Sequence, residues 1–290
     1  MWKMTLMMKR LLLLSFVLLG LIACKKEDVA SGSTLQASTI KNLAYGTDPQ
    51  QKMDVYLPAG RSSSSTNVMI LIHGGAWVEG DKSDFDLYVD TLKKRLPGYA
   101  FFNINYRLAT GTANFFPTQE NDVKAAIELI AQKLTEYQIS DKVVLLGASA
   151  GGHLALLQGY KYASPIKPAA IIDFFGPTDM AAMYNNPVNP LTVPIINAIM
   201  GGTPGEQPDL YYQSSPIHFV DAHSPPTMIL QGGMDDLVAV SQSTSLQSKL
   251  QDFGVLNQYV FYPNDGHGWD GEDLTDSFDR IVAFLAETVK

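Results

Sequence analysis

Lys142-Val143-Val144-Leu145-Leu146 runs directly into Gly147-Ala148-Ser149-Ala150-Gly151, and His153-Leu154-Ala155-Leu156-Leu157 follows. An apolar run rich in strand formers, a turn of small residues and an apolar helical stretch describe a buried strand that turns sharply into a helix. Such a turn holds its central serine in a sparsely populated backbone conformation, and only Gly or Ala fit two residues either side. The strain lifts the Ser149 hydroxyl clear of the turn. The first N–H groups of the helix lie beside it, unpaired, at the positive end of the helix dipole.

The rest of the chain supplies the sheet that this junction needs. Val68-Met69-Ile70-Leu71-Ile72 and Tyr99-Ala100-Phe101-Phe102-Asn103-Ile104 are apolar on both faces, as strands covered on both sides must be. Met53–Leu57 alternates with period two and ends at Pro58, and further strands are expected at 143–146, 169–174, 227–231 and 258–261. Val123, Ala126, Ile127, Ile130 and Leu134 recur at helical spacing within 118–137, and Phe278, Ile281, Val282 and Leu285 mark a last helix over 274–289. Buried strands alternating with amphipathic helices predict an α/β fold, with a mostly parallel sheet of eight strands and helices on both faces. The domain is expected over 42–290, a length suited to one large α/β unit with small appendages.

The beginning of the chain has a different character. Lys9-Arg10 precede thirteen residues, Leu11 to Ala23, that are apolar apart from Ser15 and Gly20. That is short for a membrane span, which needs about 20 residues, and suits a signal peptide at 1–23. Leu21-Ile22-Ala23-Cys24 resembles the lipobox of bacterial lipoproteins, which implies cleavage before Cys24 and lipid attachment to it. Residues 24–41, polar and small, are then expected to form a flexible tether. The resemblance implies a lipid-anchored protein of the bacterial cell envelope. Cys24 is the only cysteine, which excludes a disulfide framework and a thiolate metal site. Loss of residues 1–23 takes three positive charges from a net −8 and leaves −11, a balance that repels nucleic acid.

A serine hydroxyl needs a base to become a nucleophile. Of the five histidines, His267 sits in Pro263-Asn264-Asp265-Gly266-His267-Gly268-Trp269, a loop between a late strand and the final helix. Only a loop can deliver an imidazole to a serine at the tip of another strand, so His267 is the expected base. His73 is read as bracing a loop, His153 as packing, and His218 and His223 as surface residues.

The strand 68–72 leads into His73-Gly74-Gly75-Ala76-Trp77, where a Gly-Gly turn lets N–H groups approach a ligand at the carboxyl edge of the sheet. This loop resembles the HGGG-type oxyanion loop of lipases and esterases. With HGGAWVEGDKSD, GASAGGHLALL, FFGPTDM, SPIHFVDAHSPPTMILQGGMDD and GHGW in this order, the chain resembles a carboxylesterase of the α/β-hydrolase superfamily, near the hormone-sensitive-lipase-like and bacterial esterase/lipase groups. The resemblance implies a Ser149–His267–Asp235 triad, with Asp236 the alternative acid and Asp173 one in principle only. It places the N–H groups of Gly75, Ala76 and Ala150 around an oxyanion, with Gly74 shaping the turn. Gln231 stands where relatives carry His, and Ala148 where many carry an acid.

No metal or cofactor is implied. The substrate is expected to be a small-molecule or glycan-linked ester with a short acyl group. A serine peptidase or amidase could use the same groups, and a non-catalytic binding module is a further alternative. The segment 177–215 interrupts the strand–helix rhythm, where related enzymes insert a cap. Its Met180, Met183, Tyr184, Ile195, Ile196 and Met200 either line an acyl pocket or pack the insertion onto the body.

Overall fold

The runs of Val, Ile, Leu and Phe become the middle of one eight-stranded sheet. The computed structural model describes residues 35–162 and 165–290; the expected signal segment and Cys24 lie outside the described residues. In chain order come β1 (Ser38–Ala44), β2 (Lys52–Leu57), β3 (Asn67–Ile72), α1 (Asp86–Arg95), β4 (Tyr99–Ile104), α2 (Thr118–Tyr137), β5 (Val143–Ala148) and α3 (Ala150–Lys161). They are followed by β6 (Ala170–Phe174), α4 (Met180–Asn185), α5 (Thr192–Met200), α6 (Pro208–Gln213), β7 (Thr227–Gly232), α7 (Val240–Asp252), β8 (Asn257–Tyr262) and α8 (Gly271–Thr288).

The strand order is β1-β2-β4-β3-β5-β6-β7-β8. β1 and β2 pair antiparallel, as do β2 and β4, and every later pairing is parallel. The order reverses at β3, which has β4 on one side and β5 on the other. Chains leaving β3 and β5 therefore diverge at their carboxyl ends and open a crevice there. Register sets Ile72 opposite Gly147, so the loop after β3 and the turn carrying Ser149 leave the sheet side by side.

Alternation along β3 feeds two cores. Val68, Ile70 and Ile72 pack with residues of α2, α3, α5 and α7, whereas Met69 and Leu71 pack with residues of α1 and α8. The α2 residues Val123, Ala126, Ile127 and Ile130 are buried as their spacing predicts. On α8 the buried apolar stripe is Phe278, Ile281, Phe284 and Leu285.

Three elements depart from expectation. β1 takes residues 38–41 out of the expected tether; its exposed edge position leaves it no apolar pattern, and its pairing with β2 supplies the order. Helices α1 and α7 have few buried apolar residues, Val89 and Leu92 on one and Leu246 and Leu250 on the other, too few to advertise a helix. In the 177–215 insertion, Met180, Met183, Ile196 and Met200 are buried in the same core as Trp77, Phe116 and Tyr211. They pack the insertion onto the body.

Candidate active site

Ser149 follows β5 directly and precedes α3, with φ 55° and ψ −120°. A side-chain-bearing residue in this region is strained, and the surroundings over-determine it. Its N–H donates to the Phe174 carbonyl (2.8 Å), and its own carbonyl accepts from the His153 N–H (3.0 Å). The helix can start this close to β3 only because position 151 is glycine: a Cβ there would lie 1.9 Å from the Ile72 oxygen.

His267 reaches Ser149 from the loop between β8 and α8. Its Nε2 lies 2.9 Å from Ser149 Oγ and its Nδ1 2.8 Å from Asp235 Oδ2. An ionised Asp235 only accepts, so Nδ1 carries the proton and Nε2 is left to accept from the Ser149 hydroxyl. Asp235 follows β7 and is buried. Its Oδ1 accepts from the N–H groups of Leu237 (2.9 Å) and Val238 (2.8 Å), and its Oδ2 also accepts from Gln231 Nε2 (3.0 Å). Burial works to raise the Asp235 pKa, but the bond to His267 and the backbone N–H groups outweigh it and hold the carboxyl below its ordinary value. Gln231 is itself oriented, since its Oε1 accepts from Ser243 Oγ (2.6 Å).

Among the described residues, no other candidate side chain hydrogen-bonds to the Ser149 or His267 side chain. Asp236 is exposed. Asp173 is fully buried in β6 and accepts from the Gly176 N–H (3.0 Å). His218 stacks on Tyr212 at 4.4 Å, and His223 is exposed beside Asp221. His73 stacks on Tyr106 at 4.3 Å, and its Nδ1–H donates to the Gly74 carbonyl (2.7 Å), which braces the loop after β3 as expected.

That loop lies against the serine: a Cβ on Gly74 would sit 3.4 Å from Ser149 Cβ. Gly75 has φ +101°, and a Cβ there would meet the Glu79 oxygen at 2.1 Å, so the turn needs glycine at that place. Ala76 and Trp77 continue at φ 51° and 63°. Ala150 opens α3, so its N–H has no partner within the helix. Gly74 thus lies against Ser149, the left-handed run Gly75–Trp77 continues the loop from it, and Ala150 follows the serine at the helix N-terminus.

Beside the serine opens a cavity of about 290 Å³, with residues of α1 and α8 in its lining. Gly74, Gly75, Ala148 and Gly268 line it together with Phe85, Tyr88, Phe174, Phe175, Trp269 and Phe278. Phe175, with φ 44°, packs on the His267 ring at 4.6 Å. No residue of the insertion lines it. Sequence reading did not locate this cavity, because α1 carries too weak a pattern to be found. The Gln231–Asp235 bond was also missed, although the departure at 231 was visible.

A parallel sheet whose carboxyl edge presents a strained serine, a histidine and a buried aspartate in that chain order defines an α/β-hydrolase. The chain belongs to the BD-FAE family, whose model matches residues 53–250. It is 27% identical over 247 residues to the esterase LipC of Mycobacterium tuberculosis (strain ATCC 25618 / H37Rv), covering 79% of this chain and 60% of that one. It is 25% identical over 242 residues to dipeptidyl aminopeptidase BIII of Pseudoxanthomonas mexicana, covering 79% and 34%. The chain therefore spans about three-fifths of LipC and a third of the aminopeptidase. A solved structure described as a truncated form of carbohydrate esterase from gut microbiota superposes with a TM-score of 0.75 at 26% identity, covering 87% of this chain and 96% of that one.

Proposed function

We propose that this protein is a carboxylic ester hydrolase acting through Ser149, His267 and Asp235. The observation that carries the reading is the unbroken hydrogen-bond chain from Ser149 Oγ through His267 to Asp235, set beside an apolar cavity. Ser149 attacks the ester carbonyl as His267 Nε2 takes its proton, and the tetrahedral oxyanion is held by the N–H groups of Gly75, Ala76 and Ala150. His267 then gives that proton to the leaving alcohol, and a water repeats the sequence to release the acid. Asp235 keeps the imidazole oriented and balances its transient charge.

The acyl group is short or aromatic, and the ester is carried on a glycan. The cavity of about 290 Å³ sits at the low end of the ~300–1,000 Å³ common for ligand pockets, and its walls are largely aromatic. The likeness to a carbohydrate esterase over nearly the whole of that chain supports the glycan. A chain-length series of nitrophenyl esters from acetate to palmitate, then acylated xylan fragments, tests both halves. A rate maximum at ten carbons or more would overturn the acyl claim, and no acid release from any glycan would remove the other. The likeness to an aminopeptidase favours a second reading, amide cleavage by the same groups. Faster turnover of amides than of matched esters would establish it.

The protein is further proposed to be exported and anchored through lipid on Cys24. Cys24→Ser should release it from membranes and abolish fatty-acid labelling. Unchanged membrane association would contradict the anchor.

A further inference from the structure

Two separate elements must present N–H groups to one oxygen: the loop after β3 through Gly75 and Ala76, and α3 through Ala150. The gap between them is a catalytic dimension, and the loop side of it is strained. Gly75, Ala76 and Trp77 have φ of 101°, 51° and 63°, a run that side-chain-bearing residues adopt only when the surroundings impose it.

Backbone bonds to the Gly75 and Trp77 carbonyls hold part of that run, and the Trp77 side chain adds a constraint that reaches α3. It is buried, and its indole N–H donates to Nδ1 of His153 (3.2 Å), with the two rings edge-on at 5.1 Å. His153 lies on α3 itself, three residues beyond Ala150, and is fully buried. Its other nitrogen, Nε2, is 2.7 Å from the Ser214 carbonyl, which can only accept. Nε2 therefore carries the proton, and Nδ1 is left as the acceptor that Trp77 requires. Burial pushes the His153 imidazole down to about 4, so it stays neutral and keeps that tautomer.

We propose that the Trp77–His153 hydrogen bond is a strut that sets the width of the oxyanion hole, anchored at its far end by the Ser214 carbonyl. Both are positioning residues: they join the two halves of the hole without touching the reacting atoms. The inference rests on the ester-hydrolase reading above.

The test compares His153→Leu, His153→Gln and Trp77→Phe in the full chain, with competent sites counted by fluorophosphonate titration. Leucine can make neither bond. Glutamine can accept from Trp77 through Oε1 and donate to Ser214 through Nε2. Phenylalanine at 77 keeps the ring and loses the donor. Losing a whole oxyanion donor costs about 100- to 1,000-fold, so a hole of the wrong width should lower kcat per site about 10- to 100-fold in the Leu and Phe variants. KM for p-nitrophenyl acetate should move less than about twofold, and phenylboronic acid, which mimics the tetrahedral adduct, should bind more weakly in proportion to kcat. His153→Gln should stay within about fivefold of wild type in both.

Per-site kcat and boronate affinity unchanged in Trp77→Phe would overturn the strut, whatever happens to Tm, and so would a Gln variant as impaired as the Leu variant. If His153→Leu does not fold, Trp77→Phe decides alone. Boronate binding needs no turnover, so it reads the strut even if the wild type proves inert toward esters, an outcome that would sink the ester reading by itself.

Discussion

Replacing Asp235 by Asn changes one atom, and the hydrogen bonds around it dictate the consequence. Oδ1 accepts from two backbone N–H groups, of Leu237 and Val238. Turning the new amide nitrogen toward them would leave two buried donors facing a third, so the amide oxygen stays where Oδ1 was. The NH2 group then occupies the Oδ2 position, 2.8 Å from His267 Nδ1. A donor there demands an acceptor, so His267 moves its proton to Nε2 and presents an N–H to Ser149. The imidazole is held in place in the one tautomer that cannot take the serine proton. Loss of that tautomer lowers kcat by about 10⁴, or about 5.5 kcal/mol of transition-state stabilisation. Gln231 Nε2 also meets the new NH2 group; its amide can flip, with Ser243 Oγ accepting instead, at the expense of its bond to the Gly232 carbonyl (3.1 Å). The fold should therefore survive, and Tm should fall by a few degrees only. The assay is turnover of p-nitrophenyl acetate per titrated site for Asp235→Asn beside Asp236→Asn. The exposed Asp236 variant should match wild type. Near-normal turnover in the first and collapse in the second would refute the reasoning.

Three further outcomes follow from the same structure. Ser149→Ala should lower kcat by about a million-fold while leaving the unfolding curve close to wild type, and retained esterase activity in the purified variant would remove Ser149 from the mechanism. Phe278→Ala should deepen the cavity and raise the kcat/KM ratio of hexanoate to acetate esters about fourfold per extra methylene housed, at about 0.8 kcal/mol each. An unchanged ratio would mean that the acyl group lies elsewhere. Burial lifts the Asp173 carboxyl from 3.8 to about 7, so the folded state holds a proton that the unfolded chain has released, and stability falls as pH rises from about 4 to about 7. Asp173→Asn should flatten that stretch of the urea-denaturation stability profile, and a profile parallel to wild type would contradict the assignment.

Much of the scaffold could be read from residues whose surroundings leave them no choice. Val68–Ile72 is apolar on both faces because helices cover both, and the glycines at 147 and 151 follow from close backbone packing, since a Cβ would lie 2.2 Å from the Gly151 oxygen at the first and 1.9 Å from the Ile72 oxygen at the second. Ser149, His267 and Asp235, which the structure joins by hydrogen bonds, could be singled out because a tight strand-to-helix turn, a glycine-bracketed loop and a strand end are each distinct local settings. What stayed hidden depends on partners distant in sequence. β1 carries an exposure pattern without alternation and is a strand because β2 is there to pair with it. The choice between core and pocket for Met180 and Ile196 depended on which helices flank the serine. His153 looked like packing, and its bond to Trp77 appears only once a residue 76 positions away is brought alongside.

The placement of the cavity has a consequence for how such a protein can diversify. Its walls come from α1, the carboxyl ends of β5 and β6, and the stretch from Gly268 into α8, and the 177–215 insertion contributes nothing to them. Selection for a new acyl group and selection on the insertion therefore draw on separate sets of codons. Randomising the exposed positions of the insertion, such as Val188 and Leu191, leaves the cavity walls intact. A directed-evolution campaign can vary that surface in one library and acyl preference in another, then combine the winners with little epistasis between them.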